Sequence, residues 1–245
     1  MKNPGAAMLV IGDEILSGRT KDRNVAHLAT ELGTIGIDLR EVRIVPDERN
    51  RIVESLNELR RVHDYVFTCG GIGPTHDDIT SQSIAVAFGC DFAVNEDARK
   101  IIADRARSQG LEMNEARLRM ARMPVGADLI RNSVSGAPGF VVENVYVLAG
   151  IPVIFRAMLS TLLPELSGGK PFHSRTVEVR RPEGELAGPL GEIASQSPDL
   201  SIGSYPFAVG GIYGARIVVR GKDPASVDRA MESIKQAFAS DAFVE

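Results

Sequence analysis

Neither sign of charge dominates this chain: 28 basic residues face 32 acidic ones, for a formal net charge of −4. That balance excludes the broad basic surface with which proteins hold nucleic acid or an anionic membrane, and leaves room only for a local basic pocket. Cysteine is scarce as well. Cys69 and Cys90 stand at no metal-ligand spacing, so they read as two reduced, packed thiols of a cytosolic protein. No apolar run approaches the roughly 18 residues of a membrane-spanning helix. The amino-terminal run in "MKNPGAAMLVIGDE" is too short for a signal peptide and is broken by Asp13 and Glu14. A soluble, cytoplasmic protein is expected. Internal repeats, low-complexity tracts, a Walker A loop, a G-x-G-x-x-G fingerprint, a Ser-His-Asp order and a nucleophile elbow are all lacking.

What is present is ordinary in bulk, 44% hydrophobic and 24% charged over 245 residues, enough for one α/β domain with a small appendage. "AAMLVIG" (6–12) predicts a buried strand. Val25, Leu28, Ala29 and Leu32 then fall at helical spacing until Gly33 and Gly36. A strand over 37–45, a helix around Ile52–Leu59, a strand over 65–69 and a helix in "DITSQSIAVAFG" continue the alternation, which implies parallel strands covered on both faces. Asn95 to Gly110 predicts a helix, and "EMNEARLRMARM" (112–123) a second one ended by Pro124. "ADLIR", "GFVVE" and "VYVLAG" predict short strands, the last two antiparallel about Asn144, and 151–166 a helix with Pro152 in its first turn. The fold expected for residues 1–167 is therefore α/β with a mixed, mostly parallel sheet. Beyond a linker, "RTVEVR", "ELAGPLGEIASQ", "LSIGSYPF", "GARIVVRG" and a helix from Pro224 to about Ala239 make 168–245 a small α+β subdomain in βαββα order.

The first three strands all end in acid: Gly12-Asp13-Glu14, Pro46-Asp47-Glu48, and Asp77-Asp78 reached through "TCGGIGPTHDDIT". Right-handed crossovers bring these ends to one edge of a parallel sheet, where ligands bind. Clustered carboxylates repel unless a cation compensates, commonly a divalent metal bridging to phosphate. Gly70, Gly71 and Gly73 allow positive φ and close backbone approach, their N–H groups favour an anion, and Thr68, Thr75 and Thr80 add hydroxyls. The plainer reading is a glycine-rich turn with Asp78 as the N-cap of the next helix; the conjunction at three strand ends favours a site. His76 lies within the loop, either on phosphate or in solvent, whereas His27 and His63 read as surface or packing residues. Arg117, Arg119 and Arg122 fall along one predicted helix, facing either the anion site or solvent.

"TCGGIGPTHDDIT", "GDEILSG", "VPDE", "RMARMPVGADLIRNSVSGAPGF" and "VYVLAGIP" together resemble the molybdopterin-binding (MoaB/Mog-type) domain, in its competence/damage-inducible protein A (CinA) branch, over most of residues 6–165. "IGSYPF" resembles the region that follows this domain in eukaryotic FAD synthases. Longer members carry an amide-hydrolase domain, and a stand-alone form is expected here. The resemblance implies a three-layer αβα sandwich. It also implies catalytic and metal-binding roles for Asp47 and Asp78, with Glu14 as a further ligand of a divalent metal (Mg, Mn or Co). A phosphate- or nucleotide-binding set of Gly12, Glu14, Thr68, Gly70, Gly71, Gly73, Thr80, Gly136, Pro138 and Gly150 follows from the matching segments. The implied activity is metal-dependent cleavage of a nucleotide pyrophosphate such as ADP-ribose or FAD. The alternatives are a non-catalytic pterin- or nucleotide-binding module, or molybdopterin adenylyl transfer in molybdenum cofactor biosynthesis. The implied partners are a small nucleotide or pterin phosphate and further copies of the chain, as a dimer or trimer, with no nucleic acid and no membrane. One departure stands out: where relatives commonly read L-P-G-x-P-x-E, this chain has Ala149 for the first proline and Ile154 for the acid.

Overall fold

The computed structural model describes residues 3–209, 211–238 and 243–244. The chain divides into two compact units, Met1–Gly169 and Lys170–Glu245. Among the described residues no helix is long and apolar enough to cross a membrane.

Unit one grows from β1 (Gly5–Ile11), every residue of which is buried. Ala7, Leu9 and Ile11 enter one apolar core and Ala6, Met8 and Val10 another. An interior parallel strand covered on both faces reads as a continuous apolar run for this reason. The chain continues through a single turn α1 (Asp13–Leu16), α2 (Asn24–Thr34), β2 (Asp38–Val45), α3 (Arg49–Val62), β3 (Tyr65–Cys69) and α4 (Thr80–Phe88). β2 and β3 flank β1 on opposite sides and both run parallel to it. Leu28 and Leu32 of α2 bury in the second core, Ile52, Leu56 and Leu59 of α3 in the first. The two crossovers thus cover opposite faces, and the carboxyl ends of β1 and β3 form a topological switch point.

Unit one then adds β4 (Phe92–Val94), α5 (Glu96–Ser108), α6 (Glu115–Arg119), β5 (Arg122–Pro124), β6 (Asp128–Ile130), β7 (Gly139–Val142), β8 (Val145–Leu148) and α7 (Pro152–Leu162), the last ending in a 3-10 turn. β8 joins β3 in parallel, β7 and β6 follow antiparallel, and the sheet order is β2-β1-β3-β8-β7-β6. With α7 packed on the second core and α5 on the first, the unit is a three-layer αβα sandwich with a mixed, mostly parallel sheet. Asn95 caps α5 by accepting the Ala98 N–H at 3.0 Å. Asn144 closes the β7–β8 turn by donating to the Arg60 and His63 carbonyls.

The single helix predicted over 112–123 does not form. Asn114 caps only the short α6, and Met120 N–H folds back onto the Arg117 carbonyl. Arg122–Pro124 instead pairs antiparallel with β4, while Asn95 N–H donates to the Ala121 carbonyl. The pairing buries Met123, and apolar burial outweighs the helical spacing of the same residues. Likewise α4 starts at Thr80 rather than Asp78, whose carboxylate is used inside the loop.

Unit two contains β9 (His173–Val179), α8 (Glu183–Ser195), β10 (Ser201–Val209), β11 (Ile212–Gly221), α9 (Pro224–Ala237) and β12 (Phe243–Val244). The strands form one antiparallel sheet in the order β10-β11-β9-β12. Val177, Val179, Ala215, Ile217 and Val219 bury one sheet face against Leu186 of α8 and Val227 and Ile234 of α9. Asp223 caps α9 by accepting the Ala225 and Ser226 N–H groups; the predicted helix end at Ala239 lies outside the described residues.

Candidate functional site

At the switch point the ends of β1 and β3 meet almost backbone to backbone. Gly70 has φ +106°, and a Cβ there would lie 2.2 Å from the Ile11 carbonyl oxygen. Gly71 has φ +67°, and its Cβ would lie 2.2 Å from the Thr80 hydroxyl. Only glycine satisfies both conditions, positive φ and no side chain. Further along, a Cβ on Gly73 would press on the Asp78 carboxylate, and one on Gly150 on the Gly70 Cα. Asp78 holds the loop closed: its Oδ2 accepts the Thr75 N–H at 2.8 Å and the Thr75 hydroxyl at 2.6 Å.

Beside this loop opens a cavity of about 570 Å³, within the size range of small-molecule sites. Glu14, Gly70, Gly71, Gly73, Asp78, Pro138 and Gly150 of the predicted set line it. Much of the remaining wall is apolar, from Ile72, Met120, Ile151, Ile154 and Met158. Ala149 and Ile154, the two departures from the family pattern, both stand on this wall. The site therefore offers glycine-loop backbone and two carboxylates together with a hydrophobic surface.

The other predicted residues are placed differently. Gly12 lies under the Glu14 carboxylate, which a Cβ would meet at 2.6 Å. Thr68 and Thr80 are fully buried, and their hydroxyls have no partner among the described residues. Thr80 fills the space that a side chain at position 71 would need. Gly136, at φ +84°, packs against Arg105 next to the wall residues Ser135 and Ala137.

Asp47 is set back from the cavity wall, its Oδ2 accepting the Asp13 N–H at 3.0 Å. Partial burial pushes its carboxyl above the ordinary value; the Asp13 N–H works against that shift, and the charges of Asp13, Glu14 and Asp77 add to it. Among the described residues no group of three or more His, Cys, Asp or Glu side chains is arranged to hold a metal.

Two asparagines outside the predicted set support the site. Asn132, mostly buried, accepts the Val134 and Ser135 N–H groups and donates to the Ser135 hydroxyl and the Ala137 carbonyl, which shapes the 132–137 loop. The "NSVSG" composition is that of an Asx turn and was the available clue. Asn24 ties α2 to the site by donating to the Gly150 carbonyl at 2.8 Å and to the Cys69 sulfur at 3.0 Å. Burial pushes the Cys69 thiol up to about 12, so it stays protonated; Cys90 is also a free thiol. His27 faces Glu31 and His63 is buried against Glu41, while His76 is exposed. Of the three arginines, Arg117 turns to the Glu112 carbonyl, whereas Arg119 and Arg122 line a second pocket with Gly73, His76 and Asp78.

Comparison with known proteins agrees with this geometry. Residues 7–168 match the family model described as "Probable molybdopterin binding domain", and residues 171–245 match "FAD synthase, middle domain". This chain belongs to the molybdopterin-binding-domain family. A protein of Pyrobaculum calidifontis is 36% identical over 212 residues, covering 83% of this chain and 81% of that protein. A protein of Pyrococcus furiosus is 33% identical over 246 residues, covering 94% and 95%. Among solved structures, the CinA protein of unknown function from Thermoplasma acidophilum superposes with a TM-score of 0.61 at 31% identity, over 67% of this chain and 99% of that one.

Proposed function

We propose that unit one binds a nucleotide or pterin phosphate at the switch point and, with a divalent metal, cleaves a nucleotide pyrophosphate. One observation carries this reading: a cavity of ligand size joins a glycine-loop wall to an apolar one, with Glu14 and Asp78 between. The apolar wall suits a flat heteroaromatic ring and the loop backbone suits phosphoryl oxygens. The match of unit two to a FAD synthase domain puts FAD, with ADP-ribose, first among ligands to try.

Magnesium-type binding needs only one or two carboxylates acting together with substrate phosphate and water. Glu14 and Asp78, on the cavity wall, would be those carboxylates. The metal (Mg, Mn or Co) would supply charge neutralisation on the phosphate and a more acidic bound water. Asp47 fixes the 12–14 loop through the Asp13 N–H and so positions Glu14. Its own carboxylate, near enough to Glu14 to feel its charge, would add negative charge toward the metal. Ile154 favours a second reading, a binding module without turnover, because the wall carries a methyl-rich side chain where relatives commonly place an acid. Molybdopterin adenylyl transfer would use the same cradle. A homo-oligomer, dimer or trimer, is part of the proposal; light scattering should give a mass well above the 26.4 kDa of one chain.

The test is hydrolysis of ADP-ribose and FAD across Mg²⁺, Mn²⁺ and Co²⁺, with Asp78→Asn alongside. Asparagine keeps an oxygen for Thr75 but loses the charge, so turnover should fall by about 10²–10³-fold with the fold retained. Metal-independent turnover, or an Asp78→Asn protein of full activity, would remove the mechanism. Tight nucleotide binding without turnover in the parent would establish the binding module instead.

A further inference from the structure

The glycine loop has a second lined face. A separate pocket of about 250 Å³ is bounded by Gly73, His76, Asp78, Gln82, Arg119 and Arg122, with Phe92 beneath. Ile72, Gly73 and Asp78 line both this pocket and the main cavity, so the two adjoin at the loop. We propose that Arg119 and Arg122 form a second anion subsite, which takes the second phosphoryl group of a ligand whose first phosphate lies on the adjoining glycine loop. This rests on the nucleotide-binding reading above and deepens it, assigning the residues that would hold the second phosphoryl group.

The two guanidiniums carry the inference. Several arginines of unit one have work elsewhere: Arg43 pairs with Glu41 and Glu58, Arg60 with Glu143, Arg99 with Glu96, Arg107 with Asp104. Arg119 and Arg122 have no carboxylate partner among the described residues, although both face the same polar pocket. Arg122 lies over the Phe92 ring at 5.2 Å, a contact that holds the planar fork in place while leaving its N–H edge free. Gln82 is held too: its carbonyl accepts from Arg49 at 2.9 Å, which leaves its amide N–H groups without a partner among the described residues. Guanidinium forks and an amide donor match the oxygens of a phosphoryl group. The Asp78 carboxylate, of like charge to such a ligand, is engaged by both the N–H and the hydroxyl of Thr75, which lowers the repulsion.

The experiment compares ADP with AMP by calorimetry on the full chain and on R119Q, R122Q and the double variant. Each side chain is exposed, so the variants should fold, which circular dichroism confirms. The parent should prefer ADP, and each substitution should weaken ADP binding by about 10–100-fold, the loss expected for a charge-assisted bond, with AMP changed less than about twofold. The slope of log affinity for ADP against log salt should also become shallower. A parent that binds AMP and ADP equally, or variants that lose both ligands alike, overturns the second subsite and leaves the main cavity standing. A parent that binds neither overturns the nucleotide reading itself, and the subsite with it.

Discussion

The two units solve burial in opposite ways. In unit one β1 is covered on both faces and none of its seven residues is exposed. In unit two β11 buries Ala215, Ile217 and Val219 on one face, and Arg216 of the outward set pairs across the sheet with Glu178 at 3.0 Å. A sheet with no free face has only strand ends on which to build a site, and loops crowding there must do without side chains. A sheet with one open face has no such demand. The glycines of the strand-end site and those of α8 record the difference. Gly70, Gly71, Gly73 and Gly150 each sit against another part of the site, whereas Gly184, Gly188 and Gly191 of unit two meet nothing within 4 Å.

That contrast breaks first at Gly70. Alanine there adds the positive-φ penalty, about 1–2 kcal/mol, to a clash with a backbone carbonyl that cannot rotate away, about 1–3 kcal/mol by analogy with overpacked cores. Gly70→Ala should therefore lose roughly 3 kcal/mol or more in unit one and abolish ligand binding, read by denaturant unfolding and titration. An unchanged midpoint would mean that the strand ends are not closely apposed. Gly89 separates the two contributions. It ends α4 at φ +65° with nothing within 4 Å, so Gly89→Ala should cost only the conformational part, about 1–2 kcal/mol, and leave binding intact.

Much of this architecture was legible beforehand because its causes are local. Continuous apolar runs marked the two-sided strands, and the acids and glycines after them marked one edge. What was not legible depends on contacts distant in sequence. Arg122–Pro124 has helical spacing and becomes a strand only because Phe92–Val94 is there to pair with it. Asn24 reaches the site through Cys69 and Gly150, partners that no window of sequence displays. The hydroxyls of Thr68 and Thr80 suggested ligand donors, yet both are buried, because a polar residue near a glycine loop also serves to pack it.

Asp47 sharpens the comparison from the side of charge. Its carboxyl is pushed above its ordinary value, first by burial and then by neighbouring acids. The folded state thus holds the proton more tightly than the unfolded chain does. Stability from this group is fully present below the unfolded value, near 4, and is lost as pH rises through the folded one. Asp47→Asn, which still accepts from Asp13, should be more stable than the parent at pH 7, with the gain vanishing as pH falls below about 4. Added Mg²⁺ should stabilise the parent more than the variant. A destabilised variant at neutral pH would show that the Asp13 contact outweighs the repulsion. In unit two the corresponding carboxylate, Asp223, is held below its ordinary value by Ser226 and other α9 donors, so the same exchange there should have the opposite sign.

The smallest effect belongs to Gly191, and its value is its sign. The residue lies within α8, is exposed, has no positive φ and would place a Cβ in open space. Nothing about the site or the packing asks for glycine there. Alanine should restrict the unfolded chain and favour the helix by about 0.5–1 kcal/mol. Pro189 lies two residues earlier inside the same helix, but its missing N–H is a cost that both sequences carry and so cancels. The readout is amide hydrogen exchange, because it separates the units that a single melting curve would merge. Amides of α8 and the strands it covers should exchange about two- to fivefold more slowly in Gly191→Ala, with those of β1 and β3 unchanged. Faster exchange in α8 would mean that this glycine also answers to a contact, and the distinction between the glycines of the site and those of α8 would fail at that position.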